Sequence, residues 1–576
     1  MVCQIPEVVA IDTAEPVAGP ETPDVHGAYP RLSGPQIQAL AAFGMRRRTR
    51  PGDVLFREGD PTCDFFVILE GMVAVVEGYG TAGERGLSVH GPGRFLGELS
   101  LLTGEAVFVT AVVREPGAVL AVPLQQLRLL VGKDPVLGDL ILRAYLIRRS
   151  ILIEQGAGFR IVGSRFSPDT RRLREFAARN RLPHRWIDLE EDKAAEMLLR
   201  RLGVEPDQAP VVLWRQQVLR NPSNAELARL LGLRRPSSGE QVRDLVVVGA
   251  GPAGLAAAVY GASEGLSTTV LDAVATGGQA GTSSRIENYL GFPVGISGGE
   301  LAERAEIQAE RFGAQLSVPA EATALRQRDG CHLVELADGE AITGWTVLIA
   351  TGARYRKLPV PRLEEFEGVS VHYAATQVEA QMCRDDPVAV VGGGNSAGQA
   401  AVFLAQQTGR VRLLVRHDDL GANMSRYLVD RIGRDPRIQV LRHTEVRELV
   451  GERGLLEALV IQDNRTGEQR RMPARMLFVF IGAEPHVRWL GDQLALDDKG
   501  FILTGHDAVR SGAEHARRDG DRPFLLETSR TGVFAAGDVR GGSVKRVASA
   551  VGEGAMAVRL VHEYLRALGG AASAGG

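Results

Sequence analysis

A multidomain α/β chain with an N-terminal β-roll is what the sequence predicts, and three observations predict it. Six short strand-like pieces punctuated by Gly and Pro, from PGDVLFREGD to GAVLAVP, occupy residues 51–123. A strand, a glycine turn and a helix then occur at 245–261 and again at 387–406. At 576 residues the chain is long enough for three or four separate cores.

The elements follow in order. Residues 1–30, rich in Pro, Glu, Ala and Asp without periodicity, are expected to be a flexible tail. QIQALAAFG opens a domain at 31–158 as a helix, and the six strand pieces behind it have the spacing of an antiparallel barrel or double-sheet roll. LRLLVGKDPVLGDLILRAYLIRRSILIEQG closes the roll with helices, the second long enough to leave it as a lever or dimer element. Between 159 and 235 strand-like FRIVGS, HRWIDLE and APVVLWRQQVLR alternate with helical PDTRRLREFAARNR, AAEMLLRRLG and NAELARLLGL, the pattern of a small α/β domain. RRPSSGEQVRD links it to a large α/β region. There, residues 240–368 and 481–567 are expected to form one Rossmann-like dinucleotide-binding domain, with a second, 369–480, inserted in it and a flexible tail at 568–576.

Charge and cysteine usage exclude several classes. Sixty-seven basic against seventy acidic residues give a formal charge of -3, so no global positive field draws nucleic acid or an acidic membrane, and RRRTR at 46–50 reads as a solvated face. Cys3, Cys63, Cys331 and Cys383 are scattered without a CxxC, and the 11 histidines are dispersed, so neither a disulfide framework nor a metal site is expected. The N-terminus has no basic start followed by an apolar stretch, and no apolar run approaches the roughly 20 residues of a membrane span. A cytoplasmic protein with no nucleic-acid and no membrane partner is the expectation.

LVVVGAGPAGLAAAVYGASEGLSTTVLD supplies the whole context of a dinucleotide turn. Gly249 permits the tight turn, Gly251 close approach of a pyrophosphate and Gly254 close helix packing, while Asp272 ends the next strand where a ribose hydroxyl would lie. PVAVVGGGNSAGQAAVFLAQQTGRVRLLVRH repeats the pattern with Gly392, Gly394 and Gly398, and with Asn395 and Ser396 opening its helix. Its second strand ends in Arg416, followed by His417, instead of an acid; an arginine pairs with a 2′-phosphate that a carboxylate repels. NADPH is therefore favoured, with NADH left open. Two nucleotide folds in one chain suggest a flavin beside a nicotinamide, and hence an oxidoreductase.

GAGPAG, GGQAGTSSRIENYLGFP, LIATGARYRKLPVP, GGGNSAGQA and TGVFAAGDVRGGSVKRVASAVGEG occur in the order found in low-molecular-weight bacterial thioredoxin reductases, which residues 240–567 resemble. The resemblance implies FAD, contacted by Gly277, Gly278, Gln279, Asn288, Thr351 and Gly352, held by Asp538 and approached by Arg546, Val547 and Ala548, in a homodimer. In that family a CxxC pair precedes the second glycine turn. The matching stretch here, GVSVHYAATQVEAQMC, puts the pair within Ala374–Val378, where no residue forms a thiolate, and Cys383 reads as a buried structural thiol. Disulfide exchange needs two sulfurs, so thioredoxin reduction is disfavoured and the acceptor becomes a small molecule, a redox protein or oxygen. His372 and Tyr373, beside the vacated place, are the catalytic candidates.

PGDVLFREGD, DFFVILEG and FLGELSLLTGEAVFVTAVV resemble a cyclic nucleotide-binding domain, whose phosphate cassette would begin at Gly97, Glu98 and Leu99. Where that family clasps the cyclic phosphate with arginine stands Val107, so binding of a cyclic nucleotide is doubtful. Residues 159–235 resemble a thioredoxin or glutaredoxin domain with Ser164, Arg165, Phe166 and Ser167 in place of CxxC and Pro210 at the usual cis-proline position. Such modules would position or regulate the flavin domain. Two other readings stay open: a flavin-containing sensor or scaffold with little turnover, and an atypical thioredoxin-disulfide reductase.

Overall fold

The computed structural model describes residues 3–4, 20–81, 83–97, 106–205, 208–215, 217–233, 241–283, 285–375, 380, 383, 386–452, 454–510 and 523–573. It divides the chain into two compact units, residues 1–236 with 317–319, and the remainder.

In the first unit, strands Met45–Thr49, Thr110–Val122, Phe65–Glu77 and Arg85–His90 pair antiparallel in that order, with Val54–Phe56 and Phe95–Leu96 on the two long strands. The long strands bend where Gly71 meets Gly117: a Cβ on Gly117 would lie 1.9 Å from Glu70 O, so only glycine lets the backbones close. The roll's core holds Phe65 stacked on Phe95 at 5.2 Å, beneath helices Leu124–Lys133 and Pro135–Glu154. Asp134 caps the longer helix by accepting Val136 and Leu137 N–H, and proline opens it.

Two expectations are corrected here. The Pro135–Glu154 helix is not a free lever: Arg148 ties it to the roll by donating to the carbonyls of Ala28 and Phe95, and Arg149 ties it to the module that follows by donating to those of Arg181 and Asn180. Both arginines are buried, with carbonyl oxygens accepting from their guanidinia, whereas Arg46, Arg47, Arg48 and Arg50 are exposed. Residues 20–30 are not tail-like. Thr22 N–H bonds Val89 O at 3.0 Å, Glu21 pairs with Arg94, and Ala28 and Tyr29 are buried.

The small α/β module has the sheet order Cys3–Gln4, Gln217–Arg220, Val211–Trp214, Phe159–Val162 and His184–Ile187, with only the last pair parallel. Helices Pro168–Arg179, Lys193–Arg201 and Asn224–Leu230 complete it. It shares one core with the roll: Phe108 packs on Trp214 at 6.0 Å and Ala106 N–H bonds Leu231 O at 3.1 Å.

The second unit holds two large sheets, and an antiparallel sheet of Thr444–Glu452, Leu455–Asp463 and Gln469–Pro473 packs on the second of them. In the first, Thr268–Leu271, Arg243–Val248, Ala341–Ile349 and Val533–Ala535 run parallel, flanked by antiparallel Cys331–Leu336 and Ala322–Arg328. The other sheet is wholly parallel in the order Val371–His372, Met476–Val479, Val388–Val391, Val411–Leu414 and Ile438–Leu441. The chain leaves the first sheet through Ala353–Tyr355 and returns through Ala483–Pro485, which pair antiparallel, so the second nucleotide fold is inserted in the first. The central strands of both sheets are largely Val, Leu and Ile because both faces are covered, one by helices and the other by β-structure and loops. The final helix runs Val547–Ser573, well into the stretch expected to be a tail. Among the described residues no helix is long and apolar enough to cross a membrane.

Candidate functional site

The carboxyl ends of the parallel strands carry the candidate residues. At the first turn, Gly249 has φ +108 and an added Cβ there would lie 2.3 Å from Ala350 O. At Gly254 it would lie 1.8 Å from Gly249 O, so the helix packs directly on the turn. Gly251 differs: its nearest atom would be Gly278 Cα at 4.0 Å, which leaves open space in front of the N-terminus of helix Pro252–Ser263. Gly277 N–H bonds Ala250 O at 2.7 Å and so lays Gly277 and Gly278 beside the turn.

Asp272 closes the same turn, its Oδ2 accepting Ala250 N–H at 2.8 Å and its Oδ1 accepting Val274 and Ala275. Three hydrogen bonds leave this carboxylate acceptor capacity for one hydroxyl more. Gln279 donates to Ala353 O and Thr351 Oγ1 to His486 O at 2.8 Å, tying this loop and the crossover together. Gly352 has nothing within 4 Å of an added Cβ, and Asn288 is exposed on the loop after Glu287. Asp538 sits in the turn Gly537–Val539, its carboxyl raised above the usual range by burial, with Lys545 opposing and Glu553 adding to the rise. Arg546 and Ala548 are exposed and Val547 is half-buried at the start of the last helix.

At the second turn, Gly392 lies against Phe480 O, Gly398 against Met424, and a Cβ on Gly394 would meet only Asn423 O at 3.9 Å, before the helix Asn395–Thr408. Asn395 Oδ1 accepts Ser425 N–H at 2.7 Å, a structural use, while Ser396 is exposed. Arg416 Nε donates to His417 Nε2 at 3.1 Å and Asn464 fixes the Arg416 carbonyl; among the described residues no carboxylate pairs with Arg416.

His372 lies in the Val371–His372 strand with its ring 5.5 Å from Phe478. The Tyr373 hydroxyl donates to Glu367 at 2.6 Å, and Lys357 holds the other carboxylate oxygen at 2.7 Å. Burial and that carboxylate push the phenol well above its ordinary value, which makes it a poor acid. Cys383 is fully buried in the core of the second sheet with Ala375 and Ala380. Thr376, Gln377 and Val378 lie outside the described residues.

In the roll, Gly97 has φ +96 against Asp64 O; Glu98 and Leu99 lie outside the described residues. Val107 is buried, bonded through its backbone to Gly59 and Asp60. In the α/β module, Ser164 donates to Glu190 at 2.5 Å, Arg165 pairs with Asp188 and Glu191, and Ser167 caps Pro168–Arg179. The Ala209–Pro210 peptide is cis.

Sequence reasoning missed Glu367, Lys357, Lys545, Arg540 and Glu553. Their motifs are generic charges, and only the tertiary approach of their segments gives them partners.

The fit to two dinucleotides is physical: at Gly251, Gly352 and Gly394 no protein atom fills the place of a Cβ, and two helix N-termini face those gaps. The family profile described as pyridine nucleotide-disulphide oxidoreductase matches residues 243–554, and that of the cyclic nucleotide-binding domain matches 46–134. The chain is 35% identical to thioredoxin reductase of Treponema pallidum over 325 residues, 56% of this chain and 98% of that protein. It is 31% identical to the 34.2 kDa protein in rubredoxin operon of Clostridium pasteurianum, covering 57% and 98%. Among solved structures, Lactococcus lactis thioredoxin reductase in its FR conformation aligns with TM-score 0.50 at 27% identity, covering 56% of this chain and 98% of that one. Thioredoxin reductase of T. acidophilum aligns with TM-score 0.50 at 28% identity, covering 57% and 100%.

Proposed function

The chain belongs to the pyridine nucleotide-disulphide oxidoreductase family, as an FAD- and NAD(P)H-dependent oxidoreductase with a cyclic nucleotide-binding-like domain before it, and from that premise we propose that it oxidises NADPH and reduces an acceptor other than thioredoxin disulfide. The observation that carries the proposal is the thiol arrangement. The chain has four scattered cysteines and no CxxC, and Cys383, the one nearest the second turn, is fully buried in an apolar core. A thiol buried there is out of reach of a partner disulfide.

FAD, when bound, would supply the redox chemistry, as an acceptor of hydride and a donor of electrons. The protein's part is binding and orientation. Gly251 and the helix behind it would receive the FAD pyrophosphate, Asp272 a ribose hydroxyl, and Asp538 the ribityl chain. Gly394 and its helix receive the pyrophosphate of NADPH, and Arg416 with His417 its 2′-phosphate. Tyr373, committed to Glu367, shapes the wall beside the vacated dithiol place and does not move a proton.

NADPH oxidation by the holoenzyme with oxidised thioredoxin, compared with quinones, ferricyanide and oxygen, tests this reading. Turnover with at least one non-disulfide acceptor and none with thioredoxin is expected; thioredoxin as the best acceptor, lost in Cys383→Ser, would reverse it.

A further inference from the structure

The turn that presents Asp538 is held by an ion pair inside the protein. Glu553, on the Val547–Ser573 helix, accepts Gly537 N–H at 2.7 Å with Oε2 and Arg540 Nη2 at 2.6 Å with Oε1, while Arg540 Nε reaches Oε2 at 3.2 Å. Both side chains are mostly buried, 20% exposed for Arg540 and 16% for Glu553. The surrounding backbone leaves little freedom. Gly537 has φ +77 with its Cβ position 3.0 Å from Ala253 Cβ, and a Cβ on Gly554 would lie 2.1 Å from Ala253 O. The Asp538 turn, the final helix and the helix behind the first glycine turn therefore meet at Ala253, and Glu553 fastens two of them.

We propose that Arg540 and Glu553 are positioning residues for FAD: their ion pair fixes the Gly537–Val539 turn and gives the second carboxylate beside Asp538 a partner of its own, so that Asp538 is held where it accepts a flavin ribityl hydroxyl. The inference rests on the reading that Asp538 faces the flavin. The charged groups around Asp538 are Lys545, whose Nζ donates to Asp538 O at 2.5 Å, Glu553 and Arg540, with Asp497 acting on Lys545. Lys545 also lies 4.4 Å over the Phe501 ring, which keeps its ammonium at the turn. Removing the arginine leaves two buried carboxylates competing for a proton, so the turn gains a pH dependence that a merely structural contact does not give.

FAD affinity of the full chain, read by flavin fluorescence between about pH 6 and about pH 8, tests this, with thermal unfolding of each apoprotein alongside. Arg540→Met should lose about 10-fold in FAD affinity at the acid end and clearly less at the alkaline end. Glu553→Gln, which keeps an acceptor for Gly537, and the double variant should show no such slope. Arg540→Lys should restore the flat profile. Unchanged affinity in Arg540→Met, an equal loss at both ends, or a slope surviving in the double variant overturns the clamp. Asp538→Asn separates the two levels: wild-type affinity there withdraws the reading of Asp538, whereas a loss there beside an unmoved Arg540→Met overturns the clamp alone.

Discussion

The Tyr373 hydroxyl donates to Glu367 at 2.6 Å, and Glu367 is held on its other oxygen by Lys357 at 2.7 Å. The phenolic proton therefore points into a carboxylate already anchored by an ammonium. Tyr373→Phe should cost about 1 kcal/mol of stability, the loss of one hydrogen bond with Glu367 still paired, and leave the pH–rate profile with the best acceptor unchanged. Steady-state kinetics across pH check it; loss of a titrating limb would make the phenol the proton donor.

The two glycines of the first turn separate binding from folding. Gly254→Ala puts a Cβ 1.8 Å from Gly249 O, so the apoprotein itself should be destabilised, by about 2–3 kcal/mol or more. Gly251→Ala meets only Gly278 Cα at 4.0 Å, so the apoprotein should melt as wild type while FAD affinity falls. Thermal melts with and without FAD distinguish the two.

Arg416 pairs with no carboxylate among the described residues and leans on His417 at 3.1 Å. Arg416→Ala should raise KM for NADPH about 10- to 100-fold, the worth of one charge-assisted contact, and leave KM for NADH nearly unmoved. Equal effects on both cofactors would place the 2′-phosphate elsewhere.

Glu58 in the roll is pushed up to about 7 by burial, against Gly78 N–H, with Glu77 adding to the rise and Arg215 and Arg160 opposing it. A folded-state value above the unfolded 4.5 means that its contribution is intact below 4.5 and lost as pH rises through about 7. The first unit should therefore lose stability between about pH 5 and about pH 8, by on the order of 3 kcal/mol at most, and Glu58→Gln should flatten that slope. Melting curves of the full chain resolve it.

The two glycine turns, Asp272, Arg416 and the insertion of one nucleotide fold in the other are legible because backbone geometry dictates residue type at fixed spacing. What escapes are charges whose partners arrive through tertiary approach. Nothing in the helical spacing around Arg148 shows that Ala28 O and Phe95 O surround it, and that contact ties the long helix to the roll. Glu21 belongs to a polar, aperiodic stretch and is fixed by tertiary partners, buried Arg94, Arg31 and Gly91 N–H. Glu553 looks like a surface residue of an exposed helix until Gly537 and Arg540 close on it. Composition and periodicity carry none of these, since they report average environment and not specific approach.

Anaerobic stopped-flow mixing of the FAD-loaded protein with NADPH tests the central claim most directly. The oxidised flavin band should bleach in a fast phase, unchanged in Cys383→Ser and slowed at fixed NADPH in Arg416→Ala. No bleaching at saturating NADPH, or bleaching that requires Cys383, would contradict it.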